Sequence, residues 1–466
     1  NIGIKSTCTI EGYGSLYLNV TTLSSAFSTG NSKGALKYAV LDNTSTTSTV
    51  TVASLLNQKF NIVSKGSITS TGKITLLTKQ LSNTKLNKYL IVIYADVSKI
   101  ANDAMDASFN GTVSADANQG KLATGADITL QRLNSLNNTI KVDTSKTPDF
   151  STVSGNNGVK KSMEDNSVIA SNQGDGTKGI YASEDDFGTS YYFRGAVENN
   201  YVKFANYYWR IIRINGDGSV RMIYAGTEAH VNGYDDSSTN DMSIGTSVYN
   251  LNENDNTYAG YMIGKVGAST YAETHSNSTD STVKKYIDDW YKINLIAYSD
   301  YLKDTIYCND REVIKTNDIV GDGSGTKESR YASGDRIYTN LTPSFKCQNK
   351  NDRFTVNNSI GNEKLTYPIA LITYDELISA GTTIADISTQ AVITDAETYL
   401  FNYNIICTMT PLSYMDSFTS LNVLYGEGFA WYNSVKNNYP IRPVISLKSD
   451  AISGGSGTMT DPFTVG

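Results

Sequence analysis

Hydrophobic positions in this chain come in short runs separated by polar turns, and most of the runs alternate. In the first third these runs are TLSSAF, TVTVASLLN, KFNIVSKGSI, GKITLLTKQL, KYLIVIYADV and FNGTVSADA. A period of two marks half-buried strands, and short strands at this spacing predict a β-sandwich over 1–135. A polar stretch follows, LNNTIKVDTSKTPDFSTVSGNNGVKKSMEDNS, with Pro148 inside it. It has too few apolar residues for a core, so a linker and entry segment is expected over 136–177. The rest, 178–466, reads as a second, larger domain.

That domain opens with four strand-like runs, YYFRGAV, YVKFAN, YYWRIIRI and VRMIY. The NGDGS between the last two is a hairpin signal, because Asn, Asp and Gly tolerate positive φ. In YYWRIIRI, alternation places Tyr208, Arg210, Ile212 and Ile214 on one side. Tyr207, Trp209, Ile211 and Arg213 fall on the other. Both sides carry apolar residues, which predicts a central strand covered on both faces. STVKKYIDDWYKIN predicts a helix with Ser281 as N-cap and Val283, Ile287 and Trp290 on one stripe. TYDELISAG predicts a shorter helix ended by Gly381. The fold class expected is therefore mainly β, an N-terminal sandwich plus a larger α+β domain.

The start, NIGIKSTCTI, alternates too, with Ile2, Ile4, Cys8 and Ile10 on one side and no turn signal before Gly12. A strand of this kind either pairs within its own sandwich or completes the sheet of a neighbouring copy. The second fate is the expectation, with Ile2, Ile4, Cys8 and Ile10 as the assembly strand. The first residue is Asn rather than Met, read as a chain from which a leader has been removed.

Composition changes the picture only in part. Hydrophobic residues are 39% and charged residues 18%, with 32 Tyr against 7 Pro. Such a surface is polar through hydroxyl and amide groups, as on cell-envelope and extracellular proteins. The net charge of −7 and the lack of a basic cluster argue against nucleic acid. No apolar run reaches the roughly eighteen residues of a membrane-spanning helix. Of four Cys, Cys308 and Cys347 bracket a Gly/Ser-rich loop, and a disulfide between them is expected in an exported protein. Cys8 and Cys407 remain as a second candidate pair. No CxxC spacing points to zinc.

Candidate chemistry is thin. His230 and His275 lack a partner at metal-binding spacing and read as surface or loop residues. Gly30-Asn31-Ser32-Lys33-Gly34 matches GxSxG, but in a polar loop rather than a strand-to-helix turn. The acidic runs Glu184-Asp185-Asp186, Asp235-Asp236 and Asn252 to Asp255 read as solvated loops, with Ca²⁺ binding as the alternative. No cofactor is expected and the chain reads as non-enzymatic. A paired-carboxylate hydrolase is the third-ranked reading.

The ordered motifs YASEDDFGTSYYFRGAVENNYVKFANYYWRIIRINGDGSVRMIY, STVKKYIDDWY, LTYPIALITYDELISAG and RPVISLKSDAISGGSGTMTDPFTV resemble secreted or surface-anchored proteins of gut Firmicutes and related Bacilli. Those proteins are mostly uncharacterised. The closing RPV strand and the aromatic-rich approach to it look similar to C-type-lectin-like folds, including formylglycine-generating-enzyme-like domains. Where relatives often carry a Trp-rich segment, this chain has CTMTPLSYMDSFTSLNVLYGEGFAWYNS. In the first domain, KYLIVIYADVSKIANDAMDASFNGTVSADA resembles the TasA/camelysin-like sandwiches of Firmicute fibres. That resemblance implies fibres built by lending an N-terminal strand to the next subunit. The function expected is an extracellular structural or adhesive surface protein of a Gram-positive-type bacterium, a filament subunit joined by strand exchange. Its partners would be copies of itself and a host or neighbouring-cell glycan or protein. The alternative is a monomeric lectin-like adhesin, with Tyr414, Tyr425, Trp431, Tyr432 and Arg442 lining its ligand site.

Overall fold

The computed structural model describes residues 2–4, 12–42, 61–81, 87–119, 125–136, 179–232, 241–315, 321–340, 342–384, 398–400, 405–424 and 429–466. The chain divides into two compact units, Asn1–Ala123 and Thr124–Gly466.

Among the described residues, the first unit is built from strands apart from short helical turns. Its strands are β1 (Ile2–Ile4), β2 (Gly12–Leu23), β3 (Leu36–Asp42), β4 (Asn61–Ser67), β5 (Gly72–Leu81), β6 (Asn87–Ala95) and β7 (Phe109–Gln119). They form two sheets, ordered β1-β6-β3-β4 and β5-β2-β7. Leu16, Leu18 and Val20 of β2 alternate into one core with Leu36, Tyr38 and Val40 of β3, and Leu76, Tyr89 and Phe27 fill it. The two inner faces thus meet as in a sandwich.

The element pattern differs from expectation in two places. TLSSAF is not one strand, because β2 ends at Leu23 and Ser25–Ser28 turns into a short helix that buries Ala26 and Phe27. β3 was not among the expected runs, although six of its seven residues read LKYAVL and most of them are buried. TVTVASLLN, Cys8 and Ile10 lie outside the described residues.

The second unit begins earlier than the expected boundary, with the helix Gly125–Leu136. Ala126, Thr129, Leu130 and Leu133 fall on its buried stripe, at helical spacing. The Thr129 hydroxyl donates to Gly218 O at 2.7 Å, so the helix is tied to the hairpin that follows. Gly125 and Gly218 meet backbone to backbone, where a Cβ on either would clash.

Five strands open the main sheet: β8 (Gly179–Asp185), β9 (Gly188–Arg194), β10 (Tyr201–Phe204), β11 (Tyr207–Ile214) and β12 (Val220–Gly226). β11 pairs with β10 along its first half and with β9 along its second, and β12 flanks it on the other side. It is the central strand its pattern predicts. Trp209, Ile211 and Ile214 have no exposed surface, and Ile212 has 1%. Tyr207 is only half-buried. Val444–Leu447, in the closing RPVISLKS run, pairs antiparallel with β12.

The hairpin at NGDGS is closed by Asn215 N donating to Ser219 O and Gly218 N donating to Asn215 O, and Gly218 takes φ 89° there. A second, six-stranded sheet holds Ile406–Met415, Phe418–Leu424 and Phe429–Ser434. Both predicted helices form. Thr282–Asn294 is capped by Ser281, whose side chain accepts from Lys284 N, and it buries Val283 and Ile287. Tyr374–Ser379 has a full capping box between Thr373 and Glu376.

Candidate functional site

The main sheet and the Tyr374–Ser379 helix converge on a cleft walled by charged groups. Arg213 on β11 and Arg221 on β12 are both almost fully buried. Glu376 sits in the first turn of the helix, where Oε2 closes the capping box by accepting from Thr373 N at 3.0 Å. Its other oxygen, Oε1, accepts from Arg213 Nε at 2.9 Å and forms an ion pair with Arg221, whose Nε lies 2.7 Å away. Arg213 Nη1 also donates to Asp185 Oδ2 at 2.7 Å. Asp185 receives two backbone amides as well, Gly216 N on Oδ2 and Phe187 N on Oδ1. Gly216 approaches so closely that a Cβ there would lie 2.7 Å from Asp185 Oδ1.

The opposite wall is a second cluster. Arg336 grips Asp375 with two bonds, Nε to Oδ1 at 2.8 Å and Nη2 to Oδ2 at 2.6 Å. The same Nη2 reaches Asp310 Oδ2 at 2.5 Å. Asp310 stands in the left-handed region, at φ 51°, which Asp tolerates better than most residues.

Cys308, two residues before it, is bonded to Cys347, with Cα atoms 5.7 Å apart. Cys347 N donates to Asp186 Oδ2 at 3.0 Å, and Arg353 Nη2 lies 3.2 Å from Asp186 Oδ1. The disulfide closes a chain segment of 39 residues, a loop size for which such a bond contributes roughly 3–4 kcal/mol.

Burial dominates the electrostatics. It works to raise Glu376, but the Arg221 and Arg213 guanidiniums outweigh it and hold the carboxyl below its ordinary value. Asp310 goes the other way. Desolvation, with help from the Asp375 and Asp352 carboxylates, pushes it up to about 6 against the pull of Arg336. Asp186 is likewise raised by burial, partly offset by Cys347 N and Arg353.

Five carboxylates therefore face four guanidiniums, and Asp310, raised to about 6, is poised to hold a proton in mild acid. A group so placed is suited to proton exchange, but the cleft leaves about 30 Å³, room for a water molecule and not for a sugar ring. The arrangement acts as an electrostatic clamp between the sheet, the helix and the disulfide loop.

A third network lies behind the clamp. Arg311, with no exposed surface, binds Asp352 through Nε at 2.7 Å and Asn277 Oδ1 through Nη2 at 2.9 Å. His275, expected as a surface or loop residue, lies in a turn but is fully buried. Its Nε2 faces Gly323 O at 2.9 Å and its Nδ1 faces Arg311 Nη1 at 3.4 Å, an arrangement that needs the neutral ring. Burial and the Arg311 charge hold its pKa well below the usual histidine range. His230 is also buried, its Nε2 2.5 Å from Asp241 Oδ1. Neither histidine is a surface residue, because His275 fills a place beside the buried Arg311 and His230 one beside the half-buried Asp241, which a local pattern does not reveal.

The expected ligand residues do not form an accessible site. Tyr414 is 4% exposed and Arg442 1%. Arg442 spends its donors on Tyr224 O and Leu400 O, at 2.9 and 3.0 Å, and burial pulls it down to about 9. Tyr432 is half-buried on Phe429–Ser434, opposite Asn422. Tyr425 and the side chain of Trp431 lie outside the described residues. Cys407 is buried with a free thiol, raised by desolvation, and Cys8 is outside the described residues. Asp185 and Asp255 are buried rather than solvated. Among the described residues no cluster of His, Cys, Asp and Glu is arranged to hold a metal ion, and no helix is long and apolar enough to cross a membrane.

No family model, curated protein or solved structure matches the chain.

The raised carboxyl has a signature in stability. Asp310 binds its proton more tightly folded than unfolded, so its contribution is full below the unfolded value of 3.8 and is lost as pH rises through about 6. The loss is roughly 3 kcal/mol across that window. Subtracting the stability–pH curve of Asp310→Asn from that of the unmodified chain should leave a descending step between pH 4 and 7. A flat difference curve would show that Asp310 is not raised.

Proposed function

We propose that the chain is an exported structural surface protein of a Gram-positive-type bacterium, the subunit of a filament whose copies exchange the strand at Ile2–Ile4. The observation that carries this reading is the way β1 is held. It is described over Ile2–Ile4, at the edge of its sheet, and among the described residues it pairs with β6, in the register Ile2 to Tyr89 and Ile4 to Asn87. An edge strand can be replaced by the same segment of another copy, which makes the same main-chain bonds to β6. The β6 edge it covers would otherwise be a template for uncontrolled pairing. Within one chain, then, β1 has the first of its two fates, and exchange asks it to move to the same edge of a neighbour.

The disulfide supports an oxidising, extracellular location. The C-type-lectin-like character of the second unit belongs to the same proposal, supported by the RPVISLKS strand set beside β12. A glycan or protein ligand would have to meet a surface other than Tyr414 and Arg442.

Electron microscopy of the purified chain at high concentration tests the reading. The full chain should form filaments, and a chain lacking residues 1–10 should stay folded and monomeric. Filaments from the shortened chain, or a full chain that stays monomeric, would overturn it.

A further inference from the structure

Lys284 is a lysine with no exposed surface. It occupies the third position of the Thr282–Asn294 helix, and its ammonium is held by two carboxylates. Asp288 Oδ2 lies 2.7 Å from Nζ and Asp280 Oδ1 lies 3.0 Å from it. Helical geometry sets this up. Side chains lean toward the helix N-terminus, so Asp288 leans back over Lys284 and Lys284 leans back toward Asp280. Asp280 is itself fixed by a two-residue ladder, opposite Met262.

The two carboxylates differ. Asp280 keeps about a third of its side-chain surface, at 31%, whereas Asp288 keeps 11%. Asp288 Oδ1 is buried and meets no donor at hydrogen-bonding geometry. Tyr261, with no exposed surface, stands near both. The place is dry, crowded and over-supplied with charge.

We propose that Lys284 and Asp288 are joined by an amide bond between Nζ and Cγ, with Asp280 carrying the proton that the reaction must move. The step balances without any co-reactant. A proton passes from the Lys284 ammonium to Asp288, giving a neutral amine beside a neutral acid. The Nζ lone pair attacks Cγ and forms a tetrahedral centre. Asp280 takes the second Nζ proton and hands it to the departing hydroxyl, which leaves as water. One C–N bond forms, one C–O bond breaks, and nothing is oxidised or reduced.

Two features favour the product. Burial raises the Asp288 carboxyl, so its neutral form is accessible. Contact at 2.7 Å makes the reaction intramolecular between held groups. The product replaces two buried charges by one neutral amide, and the remaining charge, on Asp280, is the one nearest water. Thr366, whose hydroxyl lies 3.4 Å from Nζ, is exposed and marks a way out for the water.

The test is the mass of the full chain with its disulfide reduced, followed by a tryptic map. The chain should be lighter by one water. Cleavage after Lys284 should be blocked while cleavage after Lys285 persists, giving a branched product that joins the peptide ending at Lys285 to the peptide 286–292. Lys284→Arg should restore the full mass and the linear peptides. Asp280→Asn, a change at a partly exposed position, should do the same with its helical circular dichroism unchanged. A wild-type chain of full mass that yields only linear peptides would overturn the proposal. So would a water loss that maps to an aspartyl imide with Lys284 still cleavable. A cross-link that persists in Asp280→Asn would remove Asp280 from the mechanism.

Discussion

Glu376→Gln is expected to lower the stability of the second unit by on the order of 3–5 kcal/mol, the cost of stripping one partner from a buried ion pair. Oε1 of Glu376 is shared by Arg213 and Arg221, and all three groups are nearly or fully buried. Glutamine keeps the volume and can keep the capping bond to Thr373. It cannot keep the charge that lets two guanidiniums lie side by side, and burial, with Arg213 adding to it, already lowers the pKa of Arg221 in the native fold.

The pH dependence has a fixed sign. Glu376 is held below its ordinary value of 4.5, so its stabilisation is present above that pH and is lost only as pH falls through the lower folded value. The gap between the native chain and Glu376→Gln should therefore stay wide at neutral pH and narrow only as pH falls below 4.5. Denaturant titration with tryptophan fluorescence would read it. Asp300→Asn, at an exposed position, is the control and should shift stability by less than about 0.5 kcal/mol. Equal midpoints for Glu376→Gln and this control would mean that the three groups are not in contact.

The Glu376 case also shows what the sequence does and does not reveal. The spacing Thr373 to Glu376 is a capping box that can be read along the chain, and the helix it opens was expected. The second task of the same carboxylate was not legible. Arg213 lies 163 residues away, and nothing local announces that distant strands will bring two arginines to Oε1.

The acidic run at Glu184 to Asp186 illustrates the same limit. Its composition suits a solvated loop, yet Asp185 and Asp186 are held by Arg213, Arg353 and backbone amides. Alternation was informative where burial is repetitive, as along β11. The expectation of an aromatic ligand surface failed at Ile406–Met415, where nine of ten positions are buried and Tyr414 is core rather than contact surface. The helix Gly125–Leu136 was readable, since Ala126, Leu130 and Leu133 keep helical spacing, but the strand-rich context before it hid the change of period. The Cys308–Cys347 bond followed from the loop between them and an exported setting, without knowledge of the cleft it borders.

Trp209→Ala should cost a further unit-wide loss on the order of 3–5 kcal/mol, by the cavity that truncating a buried aromatic leaves. The ring has no exposed surface, and its Nε1 donates to Phe204 O at 3.1 Å, across the β10–β11 turn. It also meets Tyr224 of β12 edge-on, with ring centres 5.6 Å apart, and Trp290 of the Thr282–Asn294 helix at 6.5 Å. One side chain thus joins three strands and the helix that covers them, so the vacated space borders rings that cannot collapse into it without leaving their own contacts. Trp209→Phe separates the two parts of the loss. It keeps most of the apolar contact but leaves Phe204 O without its donor, and should cost only about 1–3 kcal/mol. Amide exchange in β10 to β12 should quicken in Trp209→Ala more than in Trp209→Phe, because the central strands open only with the rest of the unit. If both variants melt at the wild-type temperature, the ring is not the keystone between sheet and helix. The two-sided burial of β11 would then have to rest on Ile211, Ile212 and Ile214 alone.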